Sequence, residues 1–332
     1  MNKTTTRVLS GMRPSGLLHL GNFHGALQNW VKLQDEHECF YFVADWHTLT
    51  THYADLTELK PWVENILIDW LACGLDPKKS TFFIQSWVLE HAELHLLLSM
   101  MTPISWLERV PSYKEIRTQL SDRDLSTYGF LGYPMLQTAD IVIYDANKVP
   151  VGEDQVAHIE LSREVVRRFN FLYKKDVLKE PHPLLTHTPK VPGLDGRKMS
   201  KSYDNCIYIS DTKEVVHKKI MPAVTDPARK RRADPGHPEV CIIHDYHKLY
   251  SSPDVVKWCE DGCRSAAIGC VDCKKKLLEY MDTFWDPIRE RRVEIAKHPK
   301  NVWEIAREGT GHASKIAKGT MEKVREAMKI SY

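Results

Sequence analysis

Three groups of residues carry types and spacings that could do chemistry. Arg13-Pro14-Ser15-Gly16-Leu17-Leu18-His19-Leu20-Gly21-Asn22 follows a strand-like run at 6–12 and reads as a turn feeding a helix. Gly16 permits a tight turn, and Gly21 lets a nucleotide lie close against the helix. The helix N-terminus, with His19 and Asn22, offers donors to phosphate. In Gly193-Leu194-Asp195-Gly196-Arg197-Lys198-Met199-Ser200-Lys201-Ser202, two lysines flank a small hydroxyl-rich turn. That arrangement suits the closing of mobile cationic donors over a triphosphate. The third group is thiols: five of the eight cysteines, Cys241, Cys259, Cys263, Cys270 and Cys273, fall within 33 residues. Clustered thiols in a cytosolic chain read as metal ligands before disulfides. Cys263, Cys270 and Cys273 form C-x6-C-x2-C, and the fourth ligand could be Cys241 or Cys259. Four thiolates suit either Zn2+ or an iron–sulfur cluster, and His244 and His247 keep a mixed zinc site open.

The elements that must position these residues follow from the hydrophobic pattern. Short apolar runs at 6–12, 39–44, 81–85, 141–144 and 149–151 alternate with amphipathic stretches at 24–35, 57–72 and 154–169, which predicts an α/β fold with a parallel sheet covered by helices. In such sheets ligands sit at the carboxyl ends of strands, here the loops after Met12, Ala44 and Val151. Beyond residue 202 the pattern turns to helices, at about 211–223, 253–260, 274–297, 301–308 and 313–329. The expected organisation is a Rossmann-like catalytic domain over 1–202 and an all-helical domain over 203–332. The length of 332 residues, with 42% hydrophobic and 27% charged residues, excludes a disordered chain. A formal charge of +2 conceals an asymmetry, −3 over residues 1–210 and +5 over 211–332. The helical part is therefore the expected polyanion face, with Arg229–Arg232 as its strongest basic run. No 18-residue uncharged apolar stretch occurs, so a soluble, cytoplasmic chain without membrane contact is expected.

Taken in order, the first two groups resemble the signatures of class I aminoacyl-tRNA synthetases. His19-Leu20-Gly21-Asn22 stands in the place of HIGH, departing at its last residue, and Lys198-Met199-Ser200-Lys201-Ser202 matches KMSKS letter for letter. Between them, Gly132-Tyr133-Pro134-Met135-Leu136-Gln137-Thr138-Ala139-Asp140-Ile141 and the run from Val149 to Glu164 resemble the tryptophan-activating branch of that family. The resemblance implies that Asp140 accepts the indole N–H, that Tyr133 and Gln155 hold the ammonium and carboxylate, and that Gly152 and Asp154 contact the ATP ribose. It further implies ATP contacts at Arg13, Ser15, Gly21, Asn22, Lys198, Met199, Ser200 and Lys201, with Met199 over the adenine. Lys198, Lys201, His19 and Asn22 would stabilise the transition state, with Mg2+ carried by ATP. His47 follows a strand and is a candidate pocket residue; Gln137, Arg13 and Lys114 are further candidates.

A buried carboxylate is costly unless paired, and an indole N–H supplies a partner that Phe lacks. Selection by such a bond reaches roughly 10⁴-fold, so no editing domain is required. In the tyrosine-activating branch Gln137 and Asp140 would instead grip a phenol. An adenylate-forming paralogue that does not charge tRNA is the other alternative. The cysteine spacing resembles the 4Fe-4S site of a bacterial subset of the tryptophan branch, which favours Cys241, Cys263, Cys270 and Cys273 and leaves Cys259 free, with Zn2+ as the alternative. Family likeness also implies a homodimer that binds tRNA(Trp) across two subunits. The apolar stretch 92–101 is a candidate dimer face or core.

Overall fold

In a computed structural model of the chain, residues 6–110, 125–185 and 191–332 are described; Lys114 lies outside them. Five strands form one parallel sheet: β1 (Arg7–Met12), β2 (Glu38–Val43), β3 (Ser80–Ile84), β4 (Lys148–Val151) and β5 (His182–Leu185). Their spatial order is β3-β2-β1-β4-β5. Arg7 to Met12 run in register with Glu38 to Val43. The chain winds outward from β1 to β3, then returns to place β4 on the other side of β1. This makes the β1/β4 crevice the topological switch point, where open α/β sheets bind ligands.

The helices follow from the apolar spacing. The chain leaves β1 through α1 (Leu20–Asn22), a π-helical turn (Phe23–Leu27) and α2 (Gln28–Leu33). Then come α3 (Asp45–His52), α4 (Leu59–Ala72), α5 (Glu90–Ser99), α6 (Ile104–Glu108), α7 (Tyr128–Val142) and α8 (Val156–Tyr173). Beyond residue 202 lie α9 (Lys213–Ile220), α10 (Ile242–Tyr250), α11 (Pro253–Arg264), α12 (Cys270–Ala296) and α13 (Pro299–Met328).

Side chains alternating along β1–β3 feed two apolar layers. Val8, Tyr41 and Phe82 enter one; Leu9, Phe40 and Phe83 enter the other. The C-terminal helices join both layers. Trp285, Val302 and Ala306 pack into the first, and Ala313, Ala317, Met321 and Val324 into the second. Helix α13 therefore runs across the open edge of β3. A Cβ at Gly309 would lie 1.8 Å from the Phe82 carbonyl oxygen, so only glycine lets the helix approach that backbone. Thr81 Oγ1 meets His312 Nδ1 at 2.9 Å along the same seam. A covered edge cannot pair with another chain.

The structure corrects several expectations. Residues 141–144 are not a strand: Ile141 and Val142 end α7, and Ile143 and Tyr144 continue into the turn. An apolar β-branched run buried on all sides is compatible with either element. The helices expected at 301–308 and 313–329 are one, because Gly309 and Gly311 continue the helix. Elements not expected include α3, α6, α7, α10 and the edge strand β5, whose Pro183 hid it; proline is tolerated at a sheet edge. Among the described residues no helix is long and apolar enough to cross a membrane.

Candidate active site

A cavity of about 430 Å3 opens at the switch point. Its walls come from Ser10, Gly11 and Arg13 at the end of β1, Ala44 and His47 after β2, and Val149 to Gly152 at β4; Tyr133, Gln137 and Asp140 of α7 and Gln155 close it. The sequence candidates Arg13, His47, Tyr133, Gln137, Asp140, Gly152 and Gln155 thus converge on one space.

Asp140 lies at the floor, 1% exposed. Its Oδ1 accepts from His91 Nδ1 (2.6 Å) and Gln85 Nε2 (2.8 Å); its Oδ2 accepts from His47 Nε2 (2.8 Å) and the same Gln85 nitrogen (2.9 Å). Burial pushes this carboxyl up, yet the hydrogen bonds from His47 and His91 outweigh it and hold the group below the usual carboxylate range. His91 is itself held by Tyr144, Nε2 to hydroxyl at 2.7 Å. A carboxylate offers about four acceptor positions, and all four are in use. A ligand N–H must displace a donor, and the two-way Gln85 bond is the one that can release an oxygen without leaving Gln85 unbonded. Gln85, His91 and Tyr144 were missed because they are scattered between residues 85 and 144, and their neighbours form no motif. Beside them, Tyr133 hydroxyl and His158 Nε2 meet at 2.9 Å, and burial takes His158 down to about 4.

Next to Arg13, which lines the cavity and whose charge acts on Lys201, the two phosphate-type stretches touch. Gly16 has φ +117°, and a Cβ there would lie 3.1 Å from Cδ and 3.3 Å from Nζ of Lys201. Glycine is therefore required both by the left-handed turn and by the lysine above it. Burial brings Lys201 down to about 8. His19 is taken down to about 4 by burial first, then by Lys201 and Lys198. It is neutral at pH 7, and its buried Nδ1 has no partner among the described residues. Its ring folds over Gly21, where a Cβ would come within 2.9 Å. Asn22 Oδ1 accepts the His19 backbone N–H at 3.0 Å, which leaves its amide nitrogen to donate.

Asn205, also missed, braces the lysine loop. Its Oδ1 accepts from Ser200 N at 2.8 Å, and its Nδ2 donates to Asp195 (2.8 Å) and to the Lys198 carbonyl (3.2 Å). Met199 does not project over the site: it is 4% exposed and packs in the apolar core. Ser15 and Asp154 do not line the cavity; they lie on the loops after β1 and β4, beside the lining residues Arg13, Gly152 and Gln155, and Asp154 Oδ2 accepts from Gln155 Nε2 at 3.1 Å. Asp154 Oδ1 would lie 2.7 Å from a Cβ at Gly152.

The thiols form a second, separate cavity, lined by Cys241, Cys259, Cys263, Cys270 and Cys273 with His244 and Arg229. The four expected ligands do converge, but Cys259 is not apart from them: its Sγ is 3.3 Å from that of Cys273. Arg229 turns inward, with Nη1 3.8 Å from Cys263 Sγ and 3.9 Å from Cys270 Sγ and Nη2 on the Arg232 and Ile268 carbonyls. It is thus withdrawn from the exposed basic run. Helix packing brings Cys259 in, which spacing along the chain does not reveal.

A cavity holding one buried carboxylate at the switch point of a parallel sheet, with the Lys198–Ser202 loop against the Gly16 turn, matches what the resemblance to class I synthetases, amino-acid-activating enzymes, leads one to expect. Residues 1–286 match the profile of the tRNA synthetases class I (W and Y), and the chain belongs to that family. It is 54% identical to the tryptophan–tRNA ligase of Thermotoga maritima, covering 98% of this chain and 100% of the relative, and 46% identical to that of Aquifex aeolicus, covering 98% and 100%. Its fold superposes on tryptophanyl-tRNA synthetase from Campylobacter jejuni complexed with ADP and tryptophan, with TM-score 0.89, 34% identity and coverage of 98% and 100%.

Proposed function

We infer that the chain activates tryptophan with ATP and ligates it to tRNA(Trp). The observation that carries this reading is Lys201 lying against Gly16 and beside Arg13, which lines the pocket that also holds Asp140. In the first step a tryptophan carboxylate oxygen attacks the α-phosphorus of ATP; the P–O bond to the β-phosphate breaks, and tryptophanyl-adenylate and pyrophosphate form. The 2′- or 3′-hydroxyl of the terminal adenosine then takes the acyl group, releasing AMP. No protein nucleophile is needed. Lys198 and Lys201 take up charge developing on pyrophosphate, with N–H donors from neutral His19 and from Asn22, while Mg2+ carried with ATP neutralises phosphate charge.

Asp140 takes the indole N–H in place of one Gln85 bond, with His47 and Gln137 beside it. Tyr133 and Gln155 hold the ammonium and carboxylate. Arg13, Ser15, Gly21, Gly152, Asp154 and Ser200 contact ATP. Tryptophan-dependent ATP/pyrophosphate exchange followed by charging of tRNA, run with tyrosine alongside, tests the reading. Tyrosine-dependent exchange would move it to the other branch, and exchange without charging would make the chain an adenylate-forming paralogue.

The division of labour proposed is activation by 1–202, and anticodon binding with the metal site by 203–332, in the cytoplasm. Five thiols around one cavity beside an Arg229 guanidinium fit an anionic thiolate-ligated group. A 4Fe-4S cluster held by Cys241, Cys263, Cys270 and Cys273 would serve structure or anticodon contact. Absorbance near 400 nm, in a range typical of such clusters, tests it; colourless protein holding zinc would overturn it. A homodimer is supported by α5 and the residue that follows it: Leu94 and Leu98 face the core, while Leu96 and, just past the helix, Met100 are 53% and 71% exposed. A monomeric mass in solution would refute it.

A further inference from the structure

The thiol cavity holds more donors than one cluster uses. We propose that His247, Cys259 and Cys273 form a second metal site for a single borderline-soft divalent ion such as Zn2+. It shares Cys273 with the four-thiol set, so the two occupancies exclude each other. His247 comes from α10, Cys259 from α11 and Cys273 from α12, so the site lies where three helices meet. Cys259 Sγ and Cys273 Sγ are 3.3 Å apart, Cys273 Sγ and His247 Nε2 are 3.4 Å apart, and all three donor atoms lie within 4.8 Å of one another. Zinc bonds of about 2.3 Å to sulfur and 2.0–2.1 Å to nitrogen in a tetrahedron place such donors roughly 3.5–3.8 Å apart. The Cys259–Cys273 and Cys273–His247 separations therefore need change only by tenths of an ångström, and the Cys259–His247 separation closes from no more than 4.8 Å.

A support behind the imidazole strengthens the assignment. Ser251, one turn along, meets His247 Nδ1 through its hydroxyl at 2.7 Å. That bond fixes the ring, the arrangement that orients metal-bound histidines; Nε2 then stands against Cys273, 3.3 Å from its carbonyl oxygen and 3.4 Å from its Sγ, and metal binding exchanges the first contact for the bond to the ion. All three side chains are buried, His247 completely. Two sulfurs and one imidazole suit Zn2+ or Co2+ and disfavour the oxygen-seeking Mg2+ and Ca2+. Binding forms two metal–sulfur bonds and one metal–nitrogen bond and releases the two thiol protons to solvent.

The test uses the full chain, stripped of metal by chelation without air and titrated with Co2+. One equivalent is expected to produce thiolate-to-cobalt charge transfer and tetrahedral d–d bands, both lost on adding Zn2+. Cys259→Ser and His247→Gln are each expected to weaken Co2+ binding about a hundredfold, and Ser251→Ala about tenfold. Cys263→Ser should retain Co2+ while losing any iron chromophore; Cys273→Ser should lose both. Chain reconstituted with iron and sulfide should refuse Co2+. Far-ultraviolet circular dichroism and ATP/pyrophosphate exchange confirm that each variant is folded. Unchanged Co2+ affinity in folded Cys259→Ser, or a Cys259–Cys273 disulfide forming in place of metal binding, overturns the proposal. A chain that takes up no iron yet keeps Cys259-dependent Co2+ binding upholds it and refutes the 4Fe-4S reading instead.

Discussion

Burial brings the Lys201 ammonium down to about 8, with Cys206 opposing and Arg13 adding to the shift. The free enzyme therefore loses this charge just above neutral pH. Since kcat/KM reports ionisations of the free enzyme, kcat/KM for ATP in pyrophosphate exchange is expected to fall about tenfold per pH unit above pH 8. Lys201→Arg, whose charge persists, should move that limb upward even if it lowers the plateau. Lys201→Ala should cut exchange by about two orders of magnitude with little effect on tryptophan binding, the usual cost of removing one transition-state donor. At the pocket floor, Asp140→Asn removes the anion that His47, His91 and Gln85 surround. The KM for tryptophan is expected to rise at least about a hundredfold, read in the same exchange assay. These roles differ in how legible they were in sequence. Lys201 and Asp140 stand in continuous motifs. Gln85, His91 and Asn205 act through contacts that only the folded chain creates.

At the scale of elements, the seam between α13 and β3 holds the described glycine, Gly309, with the least room for a Cβ. Gly309→Ala would force a methyl onto the Phe82 carbonyl, 1.8 Å away. Overpacking against backbone cannot relax by a rotamer change, so the expected loss is at the upper end of about 1–3 kcal/mol, measured as a shift in the denaturant midpoint. Gly311→Ala, with nothing within 4 Å of its Cβ, should be neutral or slightly stabilising. The same two glycines explain why one helix was expected to be two. A glycine pair in a helical pattern reads as a terminus, whereas here one of the pair admits a strand backbone. The strands β1 to β4 were legible because alternating apolar runs on a sheet buried on both faces leave a strong signal. Residues 141–144 gave an equally strong apolar signal for the wrong element, because burial on all sides erases the difference in period.

For the whole molecule, buried titratable groups set the acid limb of stability. His19 and His158 are held near 4 against an ordinary value of 6.5. Between pH 6.5 and 4 the unfolded chain therefore binds more protons, and stability falls as pH is lowered through that window. Asp69, raised to about 6 by burial against the opposing Arg292, acts in the reverse sense between 6 and 3.8 and offsets about one histidine. With His247, which burial likewise takes down to about 4, a net loss on the order of 7 kcal/mol from pH 6.5 to 4 is expected for the metal-free chain, checked by denaturant midpoints across that range; a flat profile would contradict it.

The path of α13 also has a consequence for how the protein is made. The edge of β3 is synthesised by residue 84, but the helix that covers it begins at Pro299. At about 5–20 residues per second, the interval is on the order of 10–40 s. During that time the nascent chain carries an open parallel edge beside a sheet that gains its last two strands, β4 and β5, only by residue 185. This is the period in which a chaperone, or a neighbouring nascent chain on the same message, would find it.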